Sequence, residues 1–239
     1  LDDLQNKVAL VTGAGRGIGR AVAIALGRAG CNVILTARTH VELDAVRSDI
    51  QAGGGQALCI PGDLTRDEEI QRLVVEAQRA YAGVDILVNN AGWGKKSTVV
   101  QADVNDWDRT FRVNLRAPML LTKLLLPAMI ERNAGAVVNI SSISGKSGEA
   151  GSSAYAASKF GLMGFTQSLF EEVREHGIKV SVILPGFVDT PMIPPVKHLD
   201  RAKMIRPADV AQAVLFILQS SVTACPVELT LRPQRTPYR

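Results

Sequence analysis

The stretch VALVTGAGRGIGRAVAIAL, residues 8–26, decides how this chain folds. Its first five residues are apolar or β-branched with no polar alternation, the pattern of a strand covered on both faces. Gly13, Gly15, Gly17 and Gly19 follow, and a helical pattern begins among them. Where a strand hands over to a helix, glycine turns the chain tightly, and unpaired N–H groups at the positive end of the helix dipole can meet a phosphate. A G-x-G-x-x-G frame set on Gly13 places Ile18 where the third glycine would stand, so the spacing here is G-x-x-x-G-x-G. The setting favours a dinucleotide site over a tight turn that holds nothing.

The same alternation recurs along the chain. KVALVT, NVILTA, ALCIPG, DILVNN, AVVNIS and KVSVILP are near-continuous apolar runs of strand length, separated by helix-compatible stretches at 18–29, 41–52, 66–82 and 155–176. Repeated βα units of this kind predict an α/β fold, a single Rossmann-type doubly wound parallel sheet with helices on both faces, filling one domain over 1–239. Thr65 and Glu68 make a T-x-x-E pattern that predicts a capping box at the start of the third helix, and Gly135 follows a helix ending in Glu131, Arg132 and Asn133. The proline-rich stretch PGFVDTPMIPPVKHLDRAKMIRP contains a predicted substrate lid at about 187–206.

Composition narrows the function classes. The chain has 239 residues, 46% hydrophobic and 21% charged, enough for one sizeable core. Its net charge of +4 is spread among interspersed acids and bases, so nucleic acid is not an expected ligand. Lys95 with Lys96, and Arg232, Arg235 and Arg239, are local concentrations that read as solvated surface. No basic segment followed by an apolar run opens the sequence, and a cytoplasmic location is expected. The apolar run at 117–130 carries Lys123 and two prolines and is short for a membrane span. Cys31, Cys59 and Cys225 lie far apart in neither a CxxC nor a metal-ligand pattern, and no metal site is expected.

The second strand ends in Ala37 and Arg38, where NAD-binding sheets commonly carry an acid for the ribose diol. A guanidinium there suits the adenosine 2′-phosphate, which accepts paired charge-assisted hydrogen bonds, and Arg16 in the glycine turn can reach the same group. The expected cofactor is NADP(H).

TGAGRGIG at 12–19, NNAG at 89–92, Asn114, Ser142, Tyr155 with Lys159, and LPGFVDTPM at 184–192 form an ordered set. On these residues the chain resembles the short-chain dehydrogenase/reductase family over about 7–218, and within it the 3-oxoacyl-[acyl-carrier-protein] reductases. Tyr155 and Lys159 are four apart, so they share a helix face. A model phenol titrates near 10, and a neighbouring ammonium together with the positive nicotinamide of oxidised cofactor is expected to lower that value and make Tyr155 a usable acid and base. Ser142 ends its strand, where the sheet can aim its hydroxyl at the substrate oxygen; Ser141 should point the other way.

The resemblance implies further roles. Lys159 would also bind the nicotinamide ribose, and Asn114 would hold a water linking Lys159 to solvent. Asp63, beside Leu64, would meet the adenine amino group, and Asn90, Ala91 and Gly92 would pack along the cofactor. Pro185, Gly186, Val188 and Thr190 would cover the nicotinamide, Val188 through its backbone. Trp93, Ser142, Phe187 and Met192 are expected to line the substrate pocket. The implied activity is reversible reduction of a ketone to a secondary alcohol, with a 3-oxoacyl thioester on an acyl carrier protein or CoA as the leading substrate. A small ketone or β-keto acid, or a cofactor-binding regulator without turnover, are the alternatives. The end of the chain lacks the Asp-Gly-Gly typical of those reductases, and a homodimer or homotetramer is expected.

Overall fold

Every residue of the first strand, β1 (Val8–Thr12), is buried, and its side chains alternate between two layers. Ala9 and Val11 pack with Leu26, Val46 and Val214 on one face, whereas Val8 and Leu10 pack with Leu73, Leu121 and Leu169 on the other. A strand covered on both sides has no polar face to show, which is why its sequence does not alternate. A computed structural model describes residues 3–193 and 198–238.

Seven parallel strands stand in the order β3-β2-β1-β4-β5-β6-β7, with β2 at Asn32–Thr36, β3 at Gln56–Cys59, β4 at Ile86–Asn89, β5 at Gly135–Ile140, β6 at Ile178–Pro185 and β7 at Glu228–Leu231. The expected doubly wound sheet is therefore present. One layer holds α1 (Gly17–Arg28), α2 (His40–Ala52) and α7 (Pro207–Gln219). The other holds α3 (Asp67–Ala80), α5 (Ala117–Arg132) and α6 (Ser153–Val173). The strand order reverses between β1 and β4, so their carboxyl ends open a crevice where ligands bind in such sheets.

Three local expectations are corrected. The Thr65 and Glu68 capping box does not form: α3 begins after Arg66 without a side-chain cap. Thr65 instead donates from its N–H and its hydroxyl to Asp63, at 3.0 and 2.9 Å, and Glu68 pairs with Arg66. The seventh strand, ELTL, was not among the predicted six, because an edge strand exposed along one face lacks their continuous apolar run. The apolar segment at 117–130 belongs to a longer helical run, Val104–Arg132, in which α4 (Val104–Phe111) continues through one π-helical turn, Arg112–Arg116, into α5. By length and hydropathy that run could cross a membrane, but Ala117, Leu121, Leu125 and Met129 are buried against the sheet, the place of a core helix.

After β6 the chain is tied back by its own carboxy-terminal tail. The Gly186 N–H donates to the Leu231 carbonyl at 2.8 Å and the Asp200 N–H to the Pro237 carbonyl at 2.7 Å. Phe187 meets Tyr238 edge to face with ring centroids 5.5 Å apart, and His198 stacks on the same tyrosine. Pro194 and Pro195, part of the predicted lid, lie outside the described residues.

Candidate active site

A cleft of about 240 Å³ runs from the glycine turn to Tyr155 and Lys159. At its floor the chain needs glycine for two distinct reasons. Gly13 and Gly17 hold φ of +62° and +55°, the left-handed region that side chains disfavour, while a Cβ on Gly19 would run into the Gly13 carbonyl and the Asn90 amide. Helix α1 starts at Gly17 with no side-chain cap on Arg16, so its first N–H groups face the cleft beside Gly15 and Ile18. Thr12 fixes the opposite lip: its hydroxyl accepts the N–H groups of Asn90 and Ala91, both at 2.9 Å. The Asn90 amide donates to the carbonyls of Thr12 and Gly13, at 2.8 and 3.3 Å. Asn90 therefore buttresses the turn, and with Ala91 and Gly92 it lines the cleft.

Arg38 lines the far end and makes no ion pair among the described residues, whereas Arg16 lies 3.7 Å from Glu42. Both expected cations thus line one cleft, Arg16 partly neutralised by a carboxylate. Asp63 and Leu64 line the same end. Burial alone would raise the Asp63 carboxyl, but the two bonds from Thr65 and the charges of Arg38 and Arg109 hold it below its ordinary value.

At the other end Lys159 is 3% exposed, and burial pulls its ammonium down to about 8. Its Nζ donates to the Ile140 carbonyl at 2.9 Å and sits 5.7 Å from the centre of the Tyr155 ring. Burial pushes the Tyr155 phenol above its ordinary value, against a hydrogen bond from Ser142 that pulls it down. Among the chain's own groups desolvation outweighs the Ser142 bond; the expected lowering rests on Lys159 together with the positive nicotinamide of bound cofactor. Ser142 accepts the Ser144 N–H at 3.1 Å, which fixes its oxygen beside the phenol. Ser141, expected to point away, donates to the Lys159 carbonyl at 3.2 Å and lines the cleft, whereas Ser142, expected in the substrate pocket, lies outside the lining and reaches the site through the phenol.

Asn114 is fully buried on the π-helical turn. Its Oδ1 accepts the Trp93 N–H at 2.8 Å, and its Nδ2 donates to the Trp93 carbonyl at 2.8 Å and to Ser158 Oγ at 3.0 Å. Both amide protons are committed to protein, so the side chain acts as a clamp between Trp93 and Ser158.

Trp93, Thr190 and Met192 line the cleft, but Phe187 does not: its ring is taken up by Tyr238, a correction to the predicted substrate pocket. Pro185, Gly186 and Val188 also lie outside the lining. Pro185 pairs with Leu231, and Val188 bridges Ile205 through the Phe187 carbonyl and the Asp189 N–H, which leaves the Val188 amide itself out of the bridge. Sequence reasoning missed Arg109, whose guanidinium sits 4.7 Å from the Trp93 ring centre, and Glu42. Spacing on an isolated helix gives no signal for either.

An α/β sheet with a glycine turn at its switch point and a buried tyrosine and lysine in the same cleft defines a dinucleotide-dependent oxidoreductase. The short chain dehydrogenase family model matches residues 7–200, and the chain belongs to that family. An uncharacterized oxidoreductase of Staphylococcus aureus is 36% identical over 230 residues, covering 96% of this chain and 98% of the relative. A 3-oxoacyl-[acyl-carrier-protein] reductase of Synechocystis is 32% identical over 228 residues, 92% of each chain. Among solved structures, a metagenomic short-chain oxidoreductase in complex with NADP superposes with a TM-score of 0.86 at 36% identity, covering 98% of this chain and 99% of that one.

Proposed function

We propose that this protein is an NADP(H)-dependent reductase that interconverts a ketone and a secondary alcohol, with a 3-oxoacyl thioester as the leading substrate class. The observation that carries the reading is one continuous cleft with Arg38, which makes no ion pair among the described residues, at one end and Tyr155 and Lys159 at the other, the Tyr155 phenol being hydrogen-bonded by Ser142. The residues fit the cofactor: uncapped N–H groups of α1 suit a pyrophosphate, and Arg38 suits a 2′-phosphate. The NADP complex of the similar metagenomic oxidoreductase supports the same choice.

Bound NADPH supplies a hydride to the carbonyl carbon. Tyr155 is protonated at neutral pH, since burial keeps its phenol above the ordinary value, and it donates that proton to the oxygen that becomes the alcohol. Ser142 holds the same oxygen by its hydroxyl, positioned by the Ser144 N–H. Lys159 carries its proton at Nζ below about pH 8 and keeps positive charge beneath the phenol, which favours the phenolate left after transfer. In alcohol oxidation the same groups run in reverse.

The thioester preference is supported by the Synechocystis relative and by a cleft bordered by Trp93 and exposed Met192. Lys95 and Lys96, candidates for meeting an acidic carrier, are exposed and salt-bridged to Asp106 and Glu149, and both CoA and carrier-bound thioesters fit the reading. The reading includes a cytoplasmic enzyme that pairs with a second copy, supported by exposed Phe111 and Met119 beside Phe165 on an apolar groove. The test is oxidation of NADPH and NADH by purified protein against a carbonyl panel that includes acetoacetyl thioesters. Turnover with NADPH is expected; cofactor binding without turnover on any carbonyl would leave the regulator reading in its place.

A further inference from the structure

Behind the catalytic tyrosine the loop after β4 comes unusually close. A Cβ built on Gly94 would lie 2.7 Å from Tyr155 Cδ2 and 3.3 Å from Cγ, closer than side chains tolerate, so a substituent there must displace the ring or the loop. Neither is free to yield. The loop is held at Trp93 by both hydrogen bonds to the Asn114 amide, and the Trp93 ring is covered by Arg109. The backbone of Tyr155 hangs on the same amide, because Asn114 donates to Ser158 Oγ and the Ser158 hydroxyl donates to the Tyr155 carbonyl at 2.7 Å. One fully buried side chain thus fixes both the loop and the helix turn that carries the phenol.

We infer that Gly94 is a positioning residue for Tyr155: its bare Cα lets the 92–94 loop abut the aromatic ring and stop it where the phenol oxygen meets Ser142. The inference rests on the reading of Tyr155 as the proton donor. Sequence gave no hint of it, since Gly94 sits in an exposed loop outside the glycine turn, and only the ring on the other side of the contact shows why a side chain is absent.

The test compares Gly94→Ala with Gly164→Ala, a change on the same helix as Tyr155 where an added Cβ meets nothing within 4 Å. Gly94 is exposed, so its replacement is expected to leave the chain folded. Two readouts are taken. The first is the ¹³Cζ tyrosine resonance at neutral pH, which responds to the hydrogen bond at the phenol oxygen; the chain has three tyrosines, and Tyr155→Phe assigns the relevant one. Gly94→Ala is expected to move it and Gly164→Ala to leave it in place. The second is kinetic: Gly94→Ala lowers kcat by on the order of 10-fold to 100-fold, with NADPH affinity unchanged, as expected of a misplaced reacting group. Loss of the Ser142 bond also moves the rising limb of alcohol oxidation to higher pH, because that bond is what pulls the phenol down. An unmoved Tyr155 resonance in Gly94→Ala overturns the inference, as does a fall in kcat matched by loss of NADPH affinity with no change in the pH limb. If the wild type reduces no carbonyl, the proposed function fails on its own, and the resonance still decides the role of Gly94.

Discussion

The two walls of the cleft are built in opposite ways. The cofactor wall is local: the glycine turn, Thr12 and the Asn90 amide come from the ends of neighbouring strands, and short motifs spell them out. The substrate wall, where Thr190 and Met192 line the cleft, is assembled over distance, because the chain on either side of them, near 187 and 200, is tied to a tail between Leu231 and Tyr238. A phosphate site built from backbone N–H groups constrains which residues can stand there, so it leaves a readable pattern. A lid held by ring contacts and strand-edge hydrogen bonds constrains few identities and leaves little.

Changes at the junction and on each wall should separate these modes of construction. The largest effect is expected where the walls meet. Folded Lys159 titrates at about 8 against an ordinary 10.5, so the unfolded chain holds this proton in a range where the folded chain has released it. Wild-type stability therefore gains from this group as pH rises from about 8 to 10.5, and Lys159→Met removes the gain. Denaturant unfolding of both proteins from pH 7 to 10 should show their stability difference shifting toward wild type by about 3 kcal/mol. A parallel pair of curves would contradict a buried charged lysine.

On the cofactor wall, Arg38→Ala should raise the KM for NADPH by about 10-fold to 100-fold while barely changing that for NADH, the loss of charge-assisted bonds to one phosphate. Equal losses for both cofactors would break the assignment. On the substrate wall, Tyr238→Ala frees Phe187 and should raise the KM for ketone several-fold with the KM for NADPH unchanged; Tyr238→Phe, which keeps the ring contacts, should behave as wild type. The smallest change is expected for Glu42→Gln. Releasing Arg16 from its exposed partner should tighten NADPH about twofold, in keeping with the modest worth of a surface ion pair, and the gain should vanish at high salt.

The same contrast explains what could be read from sequence. The five interior strands were legible because burial on both faces demands uninterrupted apolar residues; of the two edge strands, β3 still carries an apolar run and was found, whereas β7 alternates exposed polar positions and was not. Tyr155 and Lys159 were legible from their spacing and companions, but the state of the phenol was not: burial against Ser142 is a balance set by tertiary packing. Asn114 was legible as a site residue only through the resemblance, and its partners Trp93 and Ser158, which come from other parts of the chain, give it a clamping role that spacing does not show. Thr65 and Glu68 show the reverse, a local pattern that the nearby Asp63 carboxylate overrides.

The central claim is that Tyr155 donates the proton while NADPH reduces a carbonyl. It is tested most directly by NADPH oxidation with acetoacetyl-CoA, comparing wild type with Tyr155→Phe, a change that keeps the buried ring and removes only the phenolic oxygen. The account predicts turnover by the wild type and a fall in kcat of about 10³-fold in the variant with NADPH binding retained, as general acid catalysis requires. Equal turnover by the two proteins would contradict it.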